Sequence, residues 1–498
     1  MAGRVYLVGA GPGDPGLLTL RGRECLREAD LVLYDGLVNP LLLAHARADC
    51  ERAGRTDDRG RRRVDQAAIN ERLVEAGLAG RTVVRLKGGD PFIFGRGSEE
   101  ADALREAGVP FEVVPGVTAA TAAGGYAGFP LTHRGTSSAV ALITGHEDPA
   151  KGASDLDYAA LAAFPGTLVF YMGLHRLPRI AAALLEAGKP AGTPAAVVSR
   201  ASTVRQRTVV STLAGLPEEV DAAGLRPPSL IVVGECVRQR ERLAWFEVRP
   251  LFGVSIAVPR PAEQAADVVA QTLARGAEPV LVPTIGIGPP DSWDGLDSAV
   301  WSIDGFTHLA FTSANAVGPF FERLAAAGLD ARALGGLRTA CVGPSTAAAL
   351  GERGLLCDVL PGESNAEALA AAILADGPRP SVLWPRSDRG RDALPSAIES
   401  AGGRVEAPVA YSNREAGPWP AEAVARLREG VDWVAMTSPS VARAVAARWP
   451  DDAPRPRAVA VSGLTAEAAA EAGWPCERVA ASPEWAGVLD AVGDAGDP

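Results

Sequence analysis

The sequence predicts an α/β protein built from several lobes. Along the first half, short apolar runs typical of β-strands alternate with amphipathic stretches typical of helices, which is the pattern of layered α/β domains. The second half contains an internal repeat, in which four motifs recur in the same order at offsets of 126, 125, 125 and 119 residues. The composition is that of a folded protein, because 47% of the 498 residues are hydrophobic and 22% are charged.

Charge and cysteine content argue against several classes of protein. The chain has 60 acidic and 49 basic residues, and its net charge of −11 is unlike that of a nucleic-acid binder. The six cysteines are scattered without a C-x-x-C pair, which predicts neither a metal site nor a disulfide framework. No signal peptide precedes the first strand and no apolar run is long enough to span a bilayer. We therefore expect a cytoplasmic protein without membrane or nucleic-acid partners.

The elements of the first half follow from its apolar runs. A helix is predicted over Leu17–Glu28, and a charged stretch that ends at Pro250, just before a new strand at Val254, predicts the main domain boundary. Strands are predicted at Val5–Gly9, Leu31–Tyr34, Thr82–Leu86, Glu112–Val114, Ala139–Thr144, Thr167–Tyr171, Ala195–Ser199 and Ser229–Val233.

A loop rich in glycine and proline follows the first strand. The segment Gly9–Gly16 contains the pattern G-x-G-x-x-G, and Asp35 ends the next strand, which is the superficial signature of a dinucleotide fold. A pyrophosphate site needs backbone N–H donors, however, and Pro12 and Pro15 have none. The loop favours an uncharged or cationic ligand, while a dinucleotide site and a tight turn without any ligand stay open as alternatives.

Three further loops of small residues follow predicted strands, at Lys87–Gly97, Pro115–Ala120 and Tyr171–Gly173. In the first of them, the pair Gly88-Gly89 lets the backbone approach a ligand closely, and Asp90 can bond hydroxyl groups or offset a positive charge. Four such loops, each at a strand end, can line one cleft.

The motifs in these loops resemble those of uroporphyrinogen-III C-methyltransferases. The resemblance covers about residues 3 to 246 and implies two α/β lobes, S-adenosylmethionine in the cleft between them, no metal, and a homodimer formed through this half. It is carried by the segments Val8–Asp14, Leu86–Arg96, Val114–Ala119, Pro130–Arg134, Thr144–His146 and Val169–Gly173.

The same resemblance assigns roles to single residues. Asp35 matches the family's proposed proton acceptor, and a capping or ribose-binding carboxylate is the alternative. The family's lysine is missing, and Arg55 takes its place, although the high pKa of arginine makes it a poor proton donor. The residues that match cofactor contacts are Pro12, Gly88, Gly89, Asp90, Ile93, Thr118, Ala119, Met172 and Ala201.

A basic segment lies between residues 51 and 63. The tetrapyrrole substrate implied by the resemblance carries many carboxylates, which arginine binds in a bidentate manner, so we expect this segment to face the substrate. A solvated surface loop is the alternative. Its arginines are Arg52, Arg55, Arg59, Arg61, Arg62 and Arg63.

The repeated motifs of the second half predict two similar α/β lobes. They resemble uroporphyrinogen-III synthase over about residues 253 to 490, through Phe311–Val317, Val342–Ala347, Gly390–Leu394 and Tyr411. The resemblance implies lobes joined by a two-stranded connector that the chain crosses twice. The predicted divisions are a methyltransferase at 1–246, a linker at 247–252 and a synthase at 253–498, with one lobe at about 253–284 plus 414–490 and the other at about 286–411.

The synthase resemblance implies cyclisation of hydroxymethylbilane, with inversion of the last ring and loss of water. Tyr411 matches the family's candidate for assisting the departing hydroxyl, and simple packing at a strand end is the alternative. Candidate ligands of the substrate's acetate and propionate arms are Ser313, Asn315, Thr346 and Ser438. For the strand-end serines, capping of the following helix is the alternative. Val461–Thr465 departs from the matching repeat motif, so it receives no role.

Together the two halves predict a bifunctional enzyme that makes uroporphyrinogen III and methylates it twice to precorrin-2, releasing S-adenosylhomocysteine. Two alternatives stay open. The glycine pattern with Asp35 suggests an NAD-dependent dehydrogenase as one alternative. The weak motifs of the second half suggest the other, a methyltransferase with a non-catalytic binding module. The sequence does not distinguish a sirohaem from a cobalamin pathway.

Overall fold

The computed structural model describes residues 3–53, 55–56, 62–63, 65–145, 156–261, 264–389 and 392–494, without the side chains of residues 55, 56, 62, 63 and 415. The chain divides into two compact units, Met1–Val282 together with Pro420–Pro498, and Pro283–Trp419. Across the described ranges, no helix combines the length and the apolar character needed to cross a membrane.

The first lobe contains β1 (Arg4–Gly9), α1 (Leu20–Glu28), β2 (Leu31–Tyr34), β3 (Asp49–Arg52), β4 (Arg55–Thr56), β5 (Arg62–Arg63), α2 (Gln66–Leu78), β6 (Thr82–Lys87), α3 (Gly97–Glu106), β7 (Phe111–Val114) and α4 (Ala119–Ala127). Five strands form a parallel sheet in the order β3-β2-β6-β1-β7. Alternate residues of its central strands enter two cores, with Val5 and Leu7 on one face and Tyr6 and Val8 on the other. Because the strands are parallel, their carboxyl ends meet at one edge of the sheet.

The second lobe contains β8 (Val140–Thr144), α5 (Tyr158–Ala163), β9 (Thr167–Tyr171), α6 (Leu177–Glu186), β10 (Pro194–Ser199), β11 (Arg207–Thr212), α7 (Leu216–Ala222), β12 (Ser229–Val233) and α8 (Arg240–Leu243). Its sheet has the order β11-β10-β12-β9-β8, in which β8 and β9 are parallel and the other neighbours are antiparallel.

The segment after α8 is packed against its surroundings. The indole nitrogen of Trp245 donates to the carbonyl of Gly125 at 2.8 Å, and the ring of Phe246 contacts that of Phe252 with 5.4 Å between centroids. Arg249 lies over the Trp245 ring and donates to the carbonyl of Leu273 at 3.0 Å. The predicted linker at 247–252 thus has defined contacts on both sides, while the domain boundaries themselves stay a prediction.

A third lobe begins with β13 (Ser255–Val258), α9 (Ala266–Ala274) and β14 (Glu278–Leu281). The chain then enters the second unit, which is the fourth lobe. That lobe contains β15 (Ile285–Gly288), α10 (Asp294–Trp301), β16 (His308–Phe311), α11 (Ala314–Ala326), β17 (Arg338–Cys341), α12 (Pro344–Gly351), α13 (Ala366–Asp376), β18 (Ser381–Leu383), β19 (Arg386–Ser387), α14 (Ala393–Ser400), β20 (Arg404–Glu406) and β21 (Val409–Glu415).

The chain returns to complete the third lobe with α15 (Ala421–Glu429), β22 (Trp433–Met436), α16 (Pro439–Arg448), β23 (Arg457–Ala460), α17 (Gly463–Glu471), β24 (Arg478–Val479) and α18 (Trp485–Gly493). Short 3-10 helices occur at Pro15–Leu17, Pro40–His45, Leu174–Arg176, Glu235–Gln239, Ile303–Gly305 and Ala331–Leu334.

The internal repeat is visible in the sheets of the third and fourth lobes. The parallel sheet of the fourth lobe has the order β17-β16-β18-β20, and the third lobe repeats that order as β23-β22-β13-β14 with β24 added at the edge. A separate three-stranded sheet, β15-β21-β19, completes the fourth lobe. The repeat predicted from the four motifs therefore corresponds to two copies of one strand order.

The predicted α/β class is confirmed, and most predicted strands occur within one residue of their expected bounds. The helix predicted from Leu17 is wrong at its start, because a 3-10 turn over Pro15–Leu17 precedes α1, which begins at Leu20 with Thr19 as its cap. Strands β3 and β11 were not predicted, because each is an edge strand whose residues are mostly not buried.

Candidate functional site

Two loops of the first lobe are joined at the carboxyl edge of its sheet. The loop after β1 and the loop after β6 form a short antiparallel bridge, in which the amide of Gly11 donates to the carbonyl of Gly89 at 3.2 Å and the amide of Gly89 donates back at 2.9 Å. The amide of Ala10 also donates to the carbonyl of Lys87 at 2.8 Å. The proline-containing turn and the paired glycines thus lie side by side.

The loop after β7 closes against both of them. One carboxylate oxygen of Asp90 accepts from the amide of Gly116 at 3.0 Å, and the other accepts from the amide of Phe92 at 2.8 Å. A Cβ atom on Gly9 would lie 2.5 Å from the Cα of Gly116 and 2.7 Å from the carbonyl oxygen of Gly89. The three strand-end loops can therefore meet only because glycine occupies these positions.

Ser202 and Tyr171 of the second lobe, together with Tyr126 of α4, reach the same loops. The amide of Asp14 donates to the hydroxyl of Ser202 at 3.2 Å, and the phenol of Tyr126 donates to the Asp14 carboxylate at 2.6 Å. The hydroxyls of Tyr171 and Thr118 lie 2.7 Å apart, and burial raises the pKa of Tyr171, so its phenol stays protonated as a hydrogen-bonding group. The two lobes are thus connected through the loops that the sequence singled out.

Strained backbone is concentrated at this place. Of the six non-glycine residues with positive φ in the described part of the chain, five belong to loops of this region: Phe94, Arg96, Met172, Arg200 and Ser202. Such conformations cost energy and tend to occur at functional sites. The sequence does not indicate these strained positions, because only glycine and asparagine are residue types that suggest a positive φ.

The residues predicted to contact the cofactor lie on the loops and helix starts that follow the strands. The alanines Ala119 and Ala201 and the side chain of Ile93 pack at the edge of one apolar cluster of the second lobe, whereas Met172 is 53% exposed at the end of β9. Pro12, Gly88, Gly89 and Asp90 are on the two bridged loops, and Thr118 immediately precedes α4. Their roles as cofactor contacts stay predictions.

Asp35 follows β2 at the same edge of the sheet. Its carboxylate accepts a hydrogen bond from the buried guanidinium of Arg85 at 2.5 Å, and its side chain is 29% exposed. Arg52, at the end of β3, places a guanidinium nitrogen 2.5 Å from where a Cβ on Gly36 would be. Of the other arginines of the predicted basic segment, Arg59 and Arg61 lie outside the described residues, as do the side chains of Arg55, Arg62 and Arg63.

The dinucleotide alternative is not supported by the hydrogen bonds of the glycine loop. The amide of Gly16 is occupied by the carboxylate of Asp14 at 2.7 Å, and the amide of Gly22 is occupied by the hydroxyl of Thr19 at 3.1 Å. A pyrophosphate would need such amides as free donors at the helix start. Here the chain's own side chains use them.

In the second half, the predicted ligand residues lie where the repeated strands lead into helices. Ser313 caps α11 by accepting from the amide of Asn315 at 3.2 Å, and Ser438 caps α16 by accepting from the amide of Val441 at 3.3 Å. Thr346 is buried in α12. Capping, the alternative for the two serines, is therefore present, and the ligand roles of Ser313, Asn315, Thr346 and Ser438 stay predictions.

Tyr411 and the Val461–Thr465 segment both have structural contacts in the second half. Tyr411 on β21 is 7% exposed and packs in the apolar core of the fourth lobe, so the packing alternative is present and the catalytic role stays a prediction. Ser462 caps α17 by accepting from the amide of Thr465 at 3.4 Å, as Ser438 does in α16. The equivalence of Ser462 and Ser438, each at the end of a strand, could have been found from their positions in the repeat, although the motif around Ser462 is altered.

Loss of the cap at α16 has a measurable consequence. We expect Ser438→Ala to lower the free energy of unfolding by about 1 kcal/mol, because an amide at the helix start loses its acceptor. Ser438→Asp keeps a capping oxygen and should retain wild-type stability. Denaturant unfolding followed by circular dichroism measures both variants, and an unchanged stability of Ser438→Ala would show that the hydroxyl does not support the helix.

Within the ranges described above, no group of three or more metal-ligating side chains is found.

The chain matches two family models. Residues 4–217 match the family described as Tetrapyrrole (Corrin/Porphyrin) Methylases, and residues 266–490 match Uroporphyrinogen-III synthase HemD. A solved structure titled uroporphyrin-III C-methyl transferase from Thermus thermophilus, complexed with S-adenyl homocysteine, is 44% identical, with a TM-score of 0.40, over 47% of this chain and 99% of that chain.

Two relatives extend across both halves. A porphyrin biosynthesis protein HemD from Ruminiclostridium josui is 40% identical over 371 residues, which is 74% of this chain and 73% of the relative. A uroporphyrinogen-III C-methyltransferase from Bacillus subtilis is 41% identical over 332 residues, which is 67% of this chain and 68% of the relative. The chain spans about half the length of other relatives, which are named siroheme synthase.

Proposed function

The chain belongs to the porphyrin biosynthesis proteins in which a tetrapyrrole methylase is followed by a uroporphyrinogen-III synthase, and we propose from this membership that it is a bifunctional enzyme. The second half cyclises hydroxymethylbilane to uroporphyrinogen III, and the first half methylates that product twice to precorrin-2. The observation that supports the methylase assignment most strongly is the bridge between Gly11 and Gly89, which assembles the predicted cofactor loops at one edge.

We propose S-adenosylmethionine as the methyl donor, which supplies a methyl group from its sulfonium centre. The residues present fit this ligand in two ways. In the glycine loop, the amides of Gly11, Asp14 and Gly16 already donate to acceptors within the chain and are not available to a phosphate. The carboxylates of Asp35 and Asp90 lie near these loops and can offset a positive charge. S-adenosylhomocysteine is the corresponding product.

Exposed apolar side chains of these loops can contact the macrocycle. Leu37, Phe92, Phe94 and Met172 are 41–63% exposed although they are large and hydrophobic. Leu37 lies against Gly88, and the ring of Phe94 contacts that of Tyr171, so they surround the bridged loops. Exposed apolar groups of this kind are typical of a binding surface.

Asp35 accepts the proton that methylation releases. When a pyrrole carbon takes the methyl group, the sulfur becomes a neutral thioether and the macrocycle gains a positive charge. Loss of one proton from the macrocycle to the Asp35 carboxylate removes that charge. The carboxylate lies at the edge where the loops converge and is partly exposed, so it is accessible to a bound substrate.

In the second half, hydroxyl groups and helix amides at strand ends bind the carboxylate arms of the linear substrate. The candidate residues are Ser313, Asn315, Thr346 and Ser438. The position of Tyr411 in an apolar core favours a supporting role over direct contact with the departing hydroxyl. A homodimer through the first half stays a prediction from the resemblance.

One incubation series tests both activities of the full chain. With uroporphyrinogen III and S-adenosylmethionine, the methylase forms a product two methyl groups heavier, and absence of any methylated tetrapyrrole contradicts the proposal. With hydroxymethylbilane alone, the synthase forms the type III isomer. Formation of only the uncatalysed isomer would favour a non-catalytic binding module in the second half.

Replacement of Arg52 tests the substrate-facing side of the first lobe. We expect Arg52→Ala to raise KM for uroporphyrinogen III about tenfold, because one charge-assisted hydrogen bond to a substrate carboxylate is lost. The KM for S-adenosylmethionine should not change. Arg105→Ala is the matched control, because Arg105 is an exposed arginine at the far end of α3. Equal KM values for Arg52→Ala and Arg105→Ala would show that Arg52 does not contact the substrate.

A further inference from the structure

A connected group of four ionisable side chains lies beneath the bridged loops. Arg85 donates from Nη2 to Asp35 at 2.5 Å and from Nε to Oε1 of Glu100 at 2.9 Å. Lys87 donates from Nζ to the same oxygen at 2.8 Å. Arg85 and Lys87 are each 2% exposed and Glu100 is fully buried, so Asp35 is the member of the group that reaches the surface.

The backbone explains why these groups converge. Arg85 and Lys87 are two residues apart on the central strand β6, and their side chains therefore leave the same face of the sheet. Glu100 approaches them from α3. The amide of Asp35 donates to the carbonyl of Leu86 at 3.0 Å, so the backbone of Asp35 is tied to the strand that carries Arg85.

The arrangement is costly for a group with only a structural role. Oε1 of Glu100 accepts from Arg85, Lys87 and Gln66, whereas its buried Oε2 has no hydrogen-bond partner among the residues that the structure describes. Burial lowers the pKa of Lys87, with a smaller contribution from the charge of Arg85. Apolar residues of the same volume are often as stabilising as a buried group of charges, so stability alone does not explain these side chains.

We propose that Arg85 is a positioning residue for methyl transfer, which fixes the Asp35 carboxylate toward the cleft while Glu100, which also accepts from Lys87, holds the guanidinium in place. The inference rests on the proposed methylase function and on the role of Asp35 as proton acceptor. The planar guanidinium suits this task, because it bonds Asp35 and Glu100 simultaneously through separate nitrogens. A lysine has one nitrogen and a flexible stem.

Other charged groups near Asp35 contribute to the electrostatic potential at its carboxylate. Lys87 lies on β6 and Glu100 on α3, as described, and Arg52 approaches from β3 over Gly36. From α15, the carboxylate of Glu422 accepts a hydrogen bond from the phenol of Tyr34, the residue before Asp35. Arg85 is the cation that bonds the carboxylate of Asp35 directly in the described part of the molecule.

The test is a double-mutant cycle between Arg85 and Asp35. We expect Arg85→Met to lower kcat for methyl transfer about 10²-fold, because the Asp35 carboxylate is then misplaced. The Kd of S-adenosylhomocysteine should change less than twofold. In the Asp35→Asn background, Arg85→Met should have no further effect on kcat. Arg85→Lys should recover only part of the loss. A decrease in kcat of the same size in both backgrounds would overturn the proposal, because Arg85 would then act independently of Asp35.

Two controls separate the possible failures. Arg72→Met removes another bidentate arginine of the first lobe, which pairs with Glu51, and should leave kcat within about twofold. If Arg85→Met does not fold, the double variant Arg85→Met/Glu100→Gln is used in its place in the mutant cycle. It removes one positive and one negative buried charge together. An inactive wild-type enzyme contradicts the proposed function. The crystal structure of Arg85→Met then tests the positioning inference alone, since an unchanged Asp35 rotamer would overturn it.

Discussion

Replacement of Asp35 by asparagine is expected to lower kcat for methylation of uroporphyrinogen III by about 10²- to 10³-fold. The amide occupies the same volume and can still bond Arg85 through its oxygen, but it cannot accept the proton that the methylated macrocycle releases. Affinity for S-adenosylhomocysteine should stay within twofold, because the predicted cofactor loops do not depend on this carboxylate. Steady-state assays of precorrin-2 formation and calorimetric titration with S-adenosylhomocysteine measure the two quantities.

The matched control lies at the other end of the same strand. Asp30 precedes β2, and its carboxylate accepts from the amide of Thr82 at 2.8 Å, so Asp30→Asn changes a carboxylate of this strand away from the carboxyl edge. Its kcat should stay close to that of the wild type. A kcat of Asp35→Asn within tenfold of the wild type would contradict the assignment of Asp35 as proton acceptor and favour a binding or capping role.

Replacement of Gly116 by alanine is expected to separate the loops that form the cleft. A Cβ at this position would clash with the carbonyl oxygen of Gly89 and would lie 2.7 Å from the Cα of Gly9. Backbone atoms cannot turn aside as a flexible side chain can, so the three loops must move apart. We expect a loss of about 1–3 kcal/mol in the free energy of unfolding, typical of overpacking. Affinity for S-adenosylhomocysteine should fall at least about tenfold, as misplaced ligand contacts predict.

Gly125→Ala is the control for this variant. Gly125 lies in α4, close in the chain to Gly116, and a Cβ there would meet nothing within 4 Å. Alanine in a helix interior should leave stability unchanged or raise it by up to about 1 kcal/mol. If Gly116→Ala binds S-adenosylhomocysteine as Gly125→Ala does, the close approach of the loops is not required for cofactor binding.

The parts of the fold that were predictable from sequence depend on local pattern. Buried parallel strands such as β1 and β6 are nearly continuous apolar runs, and the loops after them stand out through glycine and proline. The repeat was predictable because motifs recur at a nearly constant offset. Edge strands such as β3 were not predicted, because their exposed residues are polar and no continuous apolar run marks the strand.

The parts of the site that were not predictable depend on contacts between distant residues. Asp14 bonds Tyr126 and Ser202, which are 112 and 188 residues away in the chain, and no local pattern indicates either contact. The group around Arg85 was missed for the same reason, because its partner Asp35 is 50 residues away. The sequence located the loops, and the three-dimensional structure was needed to show which side chains connect them.

We propose that the proline-containing turn after β1 and the glycine pair after β6 form one cleft for a sulfonium nucleoside. A crystal structure of the full chain soaked with S-adenosylhomocysteine measures this most directly. We predict the ligand beside the Gly11–Gly89 bridge, between the two amino-terminal lobes. Ligand density elsewhere on the molecule, or an NAD diphosphate bound at the start of α1 in a parallel soak, would contradict it.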